Sequence, residues 1–271
     1  GNLYGVPMRA SLGYSEHGGI LNGDNLQRTT GSVSLSPTLF DKHLKVELNA
    51  KGMYTENKFA DRGAIGGAVS FDPTQAAYDD NSQYGGYFAW LDAGTGNQNN
   101  LAPTNPLALL NLIDDTAEVR RFVGNVKFDY KIHGFEDFTA TVNLGYDTSN
   151  SHGRKVTSAS IPTSDATFNG SLTSYVQNSD NKVFDAYLTY QKTFNKAHNL
   201  TVVGGHAYQS FEYDNYSYDS EAEEDGNTYE FIDKSKNVLL SYFGRANYDY
   251  NGKYYLTATV RADASSKLNP D

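Results

Sequence analysis

The sequence predicts an all-β chain, a segment of a large antiparallel transmembrane β-barrel with long extracellular loops. Three observations carry this reading. Apolar and polar residues alternate with period two over stretches longer than ordinary strands. The connections between those stretches run alternately long and short. Tyrosines gather near the expected strand ends.

The alternation is clearest toward the C-terminus. Tyr254, Leu256, Ala258, Val260 and Ala262 share one face, and Tyr255, Thr257, Thr259, Arg261 and Asp263 share the other. Leu240, Tyr242, Gly244, Ala246, Tyr248 and Tyr250 oppose Ser241, Arg245, Asn247 and Asp249. Phe138, Ala140, Val142, Leu144 and Tyr146 oppose Thr139, Thr141, Asn143 and Asp147. Similar apolar faces are formed by Phe122, Val126, Phe128 and Tyr130, and by Leu44, Val46, Leu48 and Ala50. Roughly nine strands follow, near 6–16, 25–36, 42–56, 117–131, 136–150, 179–193, 198–213, 237–250 and 252–266. A tilted strand crosses a bilayer in about 9–11 residues, so these are long enough to span.

Short turns are expected at Pro37–Asp41, His133–Phe135, Asn195–Ala197 and Asn251-Gly252, the last a favoured two-residue hairpin turn. Long connections fill 17–24, 57–116, 151–178 and 214–236. Membrane barrels keep short turns on the periplasmic side and long loops outside, whereas a soluble sandwich has no reason to segregate them. Tyr14, Tyr54, Tyr130, Tyr146, Tyr190, Tyr208 and Tyr248 lie where amphipathic rings would meet the lipid–water boundary. Ordinary strand propensity of tyrosine is the plainer account, and the loop alternation decides for the girdle. The stretch 57–116 is too long for a bare connector. Asn105-Pro106 before Leu107, Leu109, Leu110 and Leu112 reads as a cap, a first-turn proline and a short helix.

Composition narrows the function. Hydrophobic residues are 38% of the chain, yet 21 Tyr and 14 Phe separate it from disordered sequences. With 25 Gly, this suits strands having one apolar and one wet face. No cysteine is present, which excludes disulfides, thiolate metal sites and cysteine nucleophiles within these residues. A net charge of -10 makes nucleic acid an unsuitable partner. No run of about 18 apolar residues exists, which argues against a spanning helix and leaves a barrel open.

Catalytic and cofactor motifs are absent. Gly63, Gly66 and Gly67 lack phosphate-loop spacing, and nothing distinguishes any carboxylate pair as a glycosidase site. His17, His43, His133, His152, His198 and His206 show no metal-ligand spacing and read as solvated, with His206 packed on a strand. No metal site is therefore assigned from spacing. The acidic run Asp219, Glu221, Glu223, Glu224 and Asp225 before Gly226 lacks the order of a calcium loop. Tyr84, Tyr87, Phe88 and Trp90 cluster in the long loop, where they either bind substrate or a partner or pack the loop against the wall.

Pro7-Met8-Arg9-Ala10-Ser11-Leu12-Gly13-Tyr14 with Gly19-Ile20-Leu21, and Ser34-Leu35-Ser36-Pro37 with Asp41 and the stretch from His43 to Gly52, resemble segments of the SusC/RagA-type TonB-dependent outer-membrane transporters. Phe71-Asp72-Pro73-Thr74, Asn105 to Leu110, Gly124-Asn125 with Asp129-Tyr130, and Leu144 to Asp147 follow in order. The fullest match runs from Ser241-Tyr242-Phe243-Gly244-Arg245 through Tyr248, then Lys253 to Arg261, with Ser265-Ser266. The resemblance implies a barrel of about 22 strands with a plug, in the outer membrane of a Gram-negative, Bacteroidetes-like bacterium. It further implies import of an oligosaccharide or peptide, powered by TonB, with a SusD-like surface lipoprotein as partner and no enzymatic activity or cofactor. Residues 1–271 are expected to form part of one barrel domain, with plug and remaining strands before Gly1 and after Asp271. If the apolar faces meet lipid, Thr139, Thr141, Asn143, Arg245, Asn247, Thr257, Thr259 and Arg261 face the lumen. The rival expectations are a surface-exposed β-rich carbohydrate-binding protein, with its apolar faces turned inward, and a hydrolase using loop carboxylates.

Overall fold

A computed structural model describes residues 1–3, 5–221 and 228–268. Its strands are β1 (Asn2–Leu3), β2 (Val6–Gly18), β3 (Asn25–Leu35), β4 (Thr38–Leu39), β5 (Leu44–Phe59), β6 (Ile113–Lys131), β7 (Phe138–Thr157), β8 (Ser171–Phe194), β9 (His198–Ser220), β10 (Thr228–Tyr250) and β11 (Tyr254–Ser265). Two helices, α1 (Gly63–Ser70) and α2 (Pro106–Asn111), lie between β5 and β6. The strands form one antiparallel sheet in the order β1-β2-β3-β5-β6-β7-β8-β9-β10-β11, with β4 added to β5. The sheet is open, since its two edges are not paired to each other. Among the described residues no helix is long and apolar enough to cross a membrane, which says nothing against crossing by strands.

Each of the nine expected strands is present, but several run further at the long-loop end. The regions read as loops at 151–178 and 214–236 are largely strand: β7 continues to Thr157, β8 starts at Ser171, β9 reaches Ser220 and β10 starts at Thr228. These extensions lack a clean apolar face, so period two is silent in them; they are held by ladders such as Tyr175↔Ser217 and Tyr216↔Ile232. The C-terminal hairpin also differs from expectation. Asn251 and Gly252 both take left-handed φ, 57° and 65°, and Lys253 N–H donates to the Tyr250 carbonyl. The register nevertheless pairs Tyr250 with Tyr254, so the loop has three residues, Lys253 being the third.

Compact packing is concentrated beside the sheet rather than within it. Ala64, Tyr84, Ala108 and Ile161 are buried apolar residues of the long loop and of the 158–170 loop that folds against it. The short helix α2 forms as the sequence indicates, with Asn105 as cap and Pro106 in the first turn. Helix α1, Gly63-Ala-Ile-Gly-Gly-Ala-Val-Ser70, carries three glycines and little propensity of its own. Its glycines permit close approach: a Cβ at Gly67 would sit 2.8 Å from the Thr104 carbonyl oxygen beside Pro106.

Candidate functional site

Cross-strand register places all eight predicted wall residues on one face of the sheet. A continuous row runs Lys45–Asp129–Thr141–Tyr187–Gly205–Phe243–Arg261. Thr139 and Asn143 flank Thr141 on that face, and Arg245 pairs with Thr259 and Asn247 with Thr257. The face is a hydrogen-bonded network. Thr141 Oγ1 donates to Asp129 at 2.7 Å, and Lys127 lies 2.8 Å from the same carboxylate. Asn143 Nδ2 donates to Asp185 at 3.1 Å. Arg245 Nε and Thr257 Oγ1 both donate to Asn247 Oδ1, and Arg261 bonds Ser241 and Asp263. Tyr187 leans across Gly205, where a Cβ would collide with it, and reaches within 6.4 Å of the Phe243 ring. The glycine therefore makes room for an aromatic bridge over the polar wall.

The opposite face reverses the pattern of a soluble protein. Thr141 is only 3% exposed, whereas Leu144 and Leu188 on the other face of interior strands are each 43% exposed. On β7 the apolar stretch begins at Phe138 and ends at Tyr146. Eight residue steps at about 3.3 Å give roughly 26 Å along the strand, matched to a tilted crossing of a bilayer. Rings gather at the short-turn end: Phe138 with Tyr190, His198 with Tyr248 and Tyr250, and Tyr250 with Tyr254. His206 packs against Phe184 and Tyr242, with Nδ1 3.0 Å from the Ser241 carbonyl, the packed role expected of it.

The four loop aromatics do not form one surface. Tyr84 is buried: its hydroxyl accepts from Gln98 N–H at 2.8 Å and donates to the Thr163 carbonyl at 3.3 Å. It ties the long loop to the 158–170 loop and presents no surface to a ligand, correcting its expected place among binding residues. Phe88 and Trp90 meet edge to face at 5.0 Å, and Phe71, which the sequence reading left outside the cluster, closes the group at 4.8 Å from Trp90. Tyr87 pairs instead with Tyr78, which is 60% exposed. Beneath them Asn105 is wholly buried. Its Oδ1 accepts from Leu107 and Ala108 N–H, and its Nδ2 donates to the Ala77 and Phe88 carbonyls. Asp72, Asp92 and Asp165 each close a tight loop turn. The backbone N–H groups of Thr74, of Thr95 and Gly94, and of Thr167 hold their carboxyls below the usual carboxylate range.

Of the acidic run, Glu223, Glu224, Asp225 and Gly226 lie outside the described residues. Sequence spacing separated His43 from His133, but the fold brings their rings to 4.9 Å, with Glu136 beside them.

A single open antiparallel sheet with a bonded polar face, an exposed apolar face and its long loops at one end is a wall segment of an outer-membrane β-barrel. The chain is a homologue of the SusC-type TonB-dependent receptors along its whole length. It is 34% identical over 291 residues to the TonB-dependent receptor SusC of Bacteroides thetaiotaomicron, covering 100% of this chain and 29% of that protein. It is 29% identical over 276 residues to a TonB-dependent receptor of Formosa agariphila, covering 94% of this chain and 26% of the relative. It thus spans less than a third of the length of either. No family model matches the sequence. Among solved structures, the RagAB peptide importer in its open-open state superposes with a TM-score of 0.77 at 21% identity, over 97% of this chain and 30% of that one. The ferripyoverdine receptor of Pseudomonas aeruginosa follows the same fold at a TM-score of 0.57 and 14% identity, over 100% of this chain and 35% of that one.

Proposed function

We propose that residues 1–271 are part of the barrel domain of a TonB-dependent importer, and that their polar face lines the passage for a nutrient. The observation that carries this reading is the common face. Thr139, Thr141, Asn143, Arg245, Asn247, Thr257, Thr259 and Arg261 come from three strands, β7, β10 and β11, yet the register turns all of them to one side. That side holds hydroxyls, amides and guanidinium groups suited to a hydrated solute, while the other side holds aliphatic and aromatic groups suited to lipid.

The nutrient class is an oligosaccharide or a peptide. RagAB is a peptide importer, and the hydroxyl- and amide-rich wall accommodates either chemistry. Energy would come from the TonB complex through segments outside this chain. A SusD-like lipoprotein would seat on the long-loop end, where Tyr78 and Tyr87 form an open aromatic pair. A soluble carbohydrate-binding sandwich would bury the faces carrying Leu144 and Leu188, both of which are exposed. The test is cysteine labelling of the full-length receptor, freed of other cysteines, in native membranes. Thr259→Cys should react with a charged maleimide and Ala258→Cys should not. The opposite pattern would reverse the assignment of faces and remove the lumen reading.

A further inference from the structure

We infer that the short-turn end of the sheet carries a divalent transition-metal site formed by His43, His133 and Glu136. The three residues come from two separate turns. His43 closes the β4–β5 turn, and His133 and Glu136 belong to the β6–β7 turn. One ligand atom from each lies within 4.8 Å of the others. The backbone fixes both turns. His43 N–H donates to the Phe40 carbonyl at 2.9 Å, Lys131 N–H donates to the His43 carbonyl at 2.7 Å, and Phe135 N–H donates to the Ile132 carbonyl at 2.9 Å.

A second imidazole beside the His43–Glu136 contact distinguishes the cluster from a plain ion pair. His43 Nδ1 lies 3.1 Å from the Lys131 carbonyl and 3.5 Å from the Glu136 carboxylate. Either ring nitrogen of His43 can serve as the ligand: Nδ1 already faces the Glu136 carboxylate, and Nε2 keeps its lone pair when Nδ1–H is donated to the Lys131 carbonyl. The His133 ring stands edge-on to His43 at 64° rather than stacked, so its nitrogen can be turned toward the same point. Ligands at about 2.1 Å in a tetrahedron sit roughly 3.4 Å apart. Closing from 4.8 Å needs only side-chain rotation, and both His133 and Glu136 are exposed and free to turn. Two imidazoles and one carboxylate suit zinc, nickel or copper ions rather than magnesium or calcium, and three protein ligands leave a position for water.

The turn leading into His43 supports a role for this corner. Phe40, Asp41 and Lys42 are consecutive non-glycine residues with φ of 52°, 50° and 72°, a left-handed run that single turns rarely contain. Such backbone persists where surrounding contacts hold it, and a bound ion would clamp it to the neighbouring turn.

The experiment uses the full-length receptor in detergent, purified without a histidine tag and stripped with a chelator. Zn2+ titration by calorimetry should show one more saturable ion per receptor than the His43→Ala/His133→Ala variant binds. Glu136→Gln should weaken that event at least about tenfold, and His17→Ala, at the opposite end of its strand, should leave it unchanged. Because the double variant removes two side chains from the turns, Cu2+ electron paramagnetic resonance on the unaltered receptor provides a second reading. Hyperfine coupling to two imidazole nitrogens, lost in His133→Ala, supports the site. Equal zinc stoichiometry in receptor and double variant, or copper coupling unaffected by His133→Ala, overturns it.

Discussion

Replacing Asn105 with alanine should loosen the long loop without disturbing the sheet. The side chain holds two ends of that loop together: its oxygen caps α2, and its amide nitrogen reaches the carbonyls of Ala77 at 2.7 Å and Phe88 at 3.1 Å. Their losses differ. Ala77 keeps a second donor, because Phe88 N–H bonds it at 3.0 Å across the Tyr78↔Tyr87 bridge. The Phe88 carbonyl has Asn105 as its protein donor in the described loop, so it is left bare in a half-buried place. Loss of the cap costs about 1 kcal/mol, and the exposed need of one carbonyl adds about 2 kcal/mol. A local destabilisation of about 3 kcal/mol raises the opening equilibrium by about two powers of ten. Hydrogen exchange of the full receptor reads this directly: amides between 63 and 112 should exchange about 100-fold faster, with β6 to β9 ladders unchanged. Asn105→Asp separates the parts, since it keeps the cap but sets a carboxylate against two carbonyl oxygens, and it should not restore protection. A change under threefold for alanine, or full protection with aspartate, would refute the two-ended staple.

Two further outcomes follow from the faces and the loops. Val142→Arg, midway between Phe138 and Tyr146 on the apolar face, should cost about 2–4 kcal/mol and reduce the folded fraction in denaturant titrations in lipid. Asn143→Arg on the polar face has Asp185 to pair with and should fold nearly normally; equal damage from both would contradict the lipid-facing assignment. For pH, the Asp72, Asp92 and Asp165 carboxyls are depressed, so their turn contacts are fully present above the unfolded carboxylate pKa of about 3.9. Those contacts are lost as pH falls through the lower folded values. Cleavage of the loop by an acid protease should therefore be slow at pH 5 and rise once the pH drops below about 3.9. Faster cleavage appearing above pH 5 would show that these turns do not govern loop order.

Legibility in the sequence followed the solvent. Where one face of a strand meets lipid and the other water, the alternation is enforced, and Phe138 to Tyr146 or Tyr254 to Ala262 could be placed from residue types alone. Beyond the aromatic rings both faces meet water, no alternation is demanded, and Ser151–Thr157 or Asp214–Ser220 looked like loop. Asn105 was readable as a cap because capping is local. Its second pair of bonds was not, because Ala77 and Phe88 lie 28 and 17 residues away. The glycines of α1 read as loop because propensity argues against helix there, and only the approach of Thr104 explains them.

The sequence by itself determined that nine strands exist, the two chemistries of those with clear alternation and the succession of long and short connections, because period two and turn composition are local consequences of where the chain meets lipid and water. Tertiary structure alone decided the rest. Register carried Thr141 on β7 and Arg261 on β11 into one row. Packing drew Tyr84 into the loop interior and left Tyr78 open. Two turns separated by many residues met at His43 and His133. Each depends on which strands become neighbours, and neighbourhood is settled by the whole sheet rather than by any window of sequence.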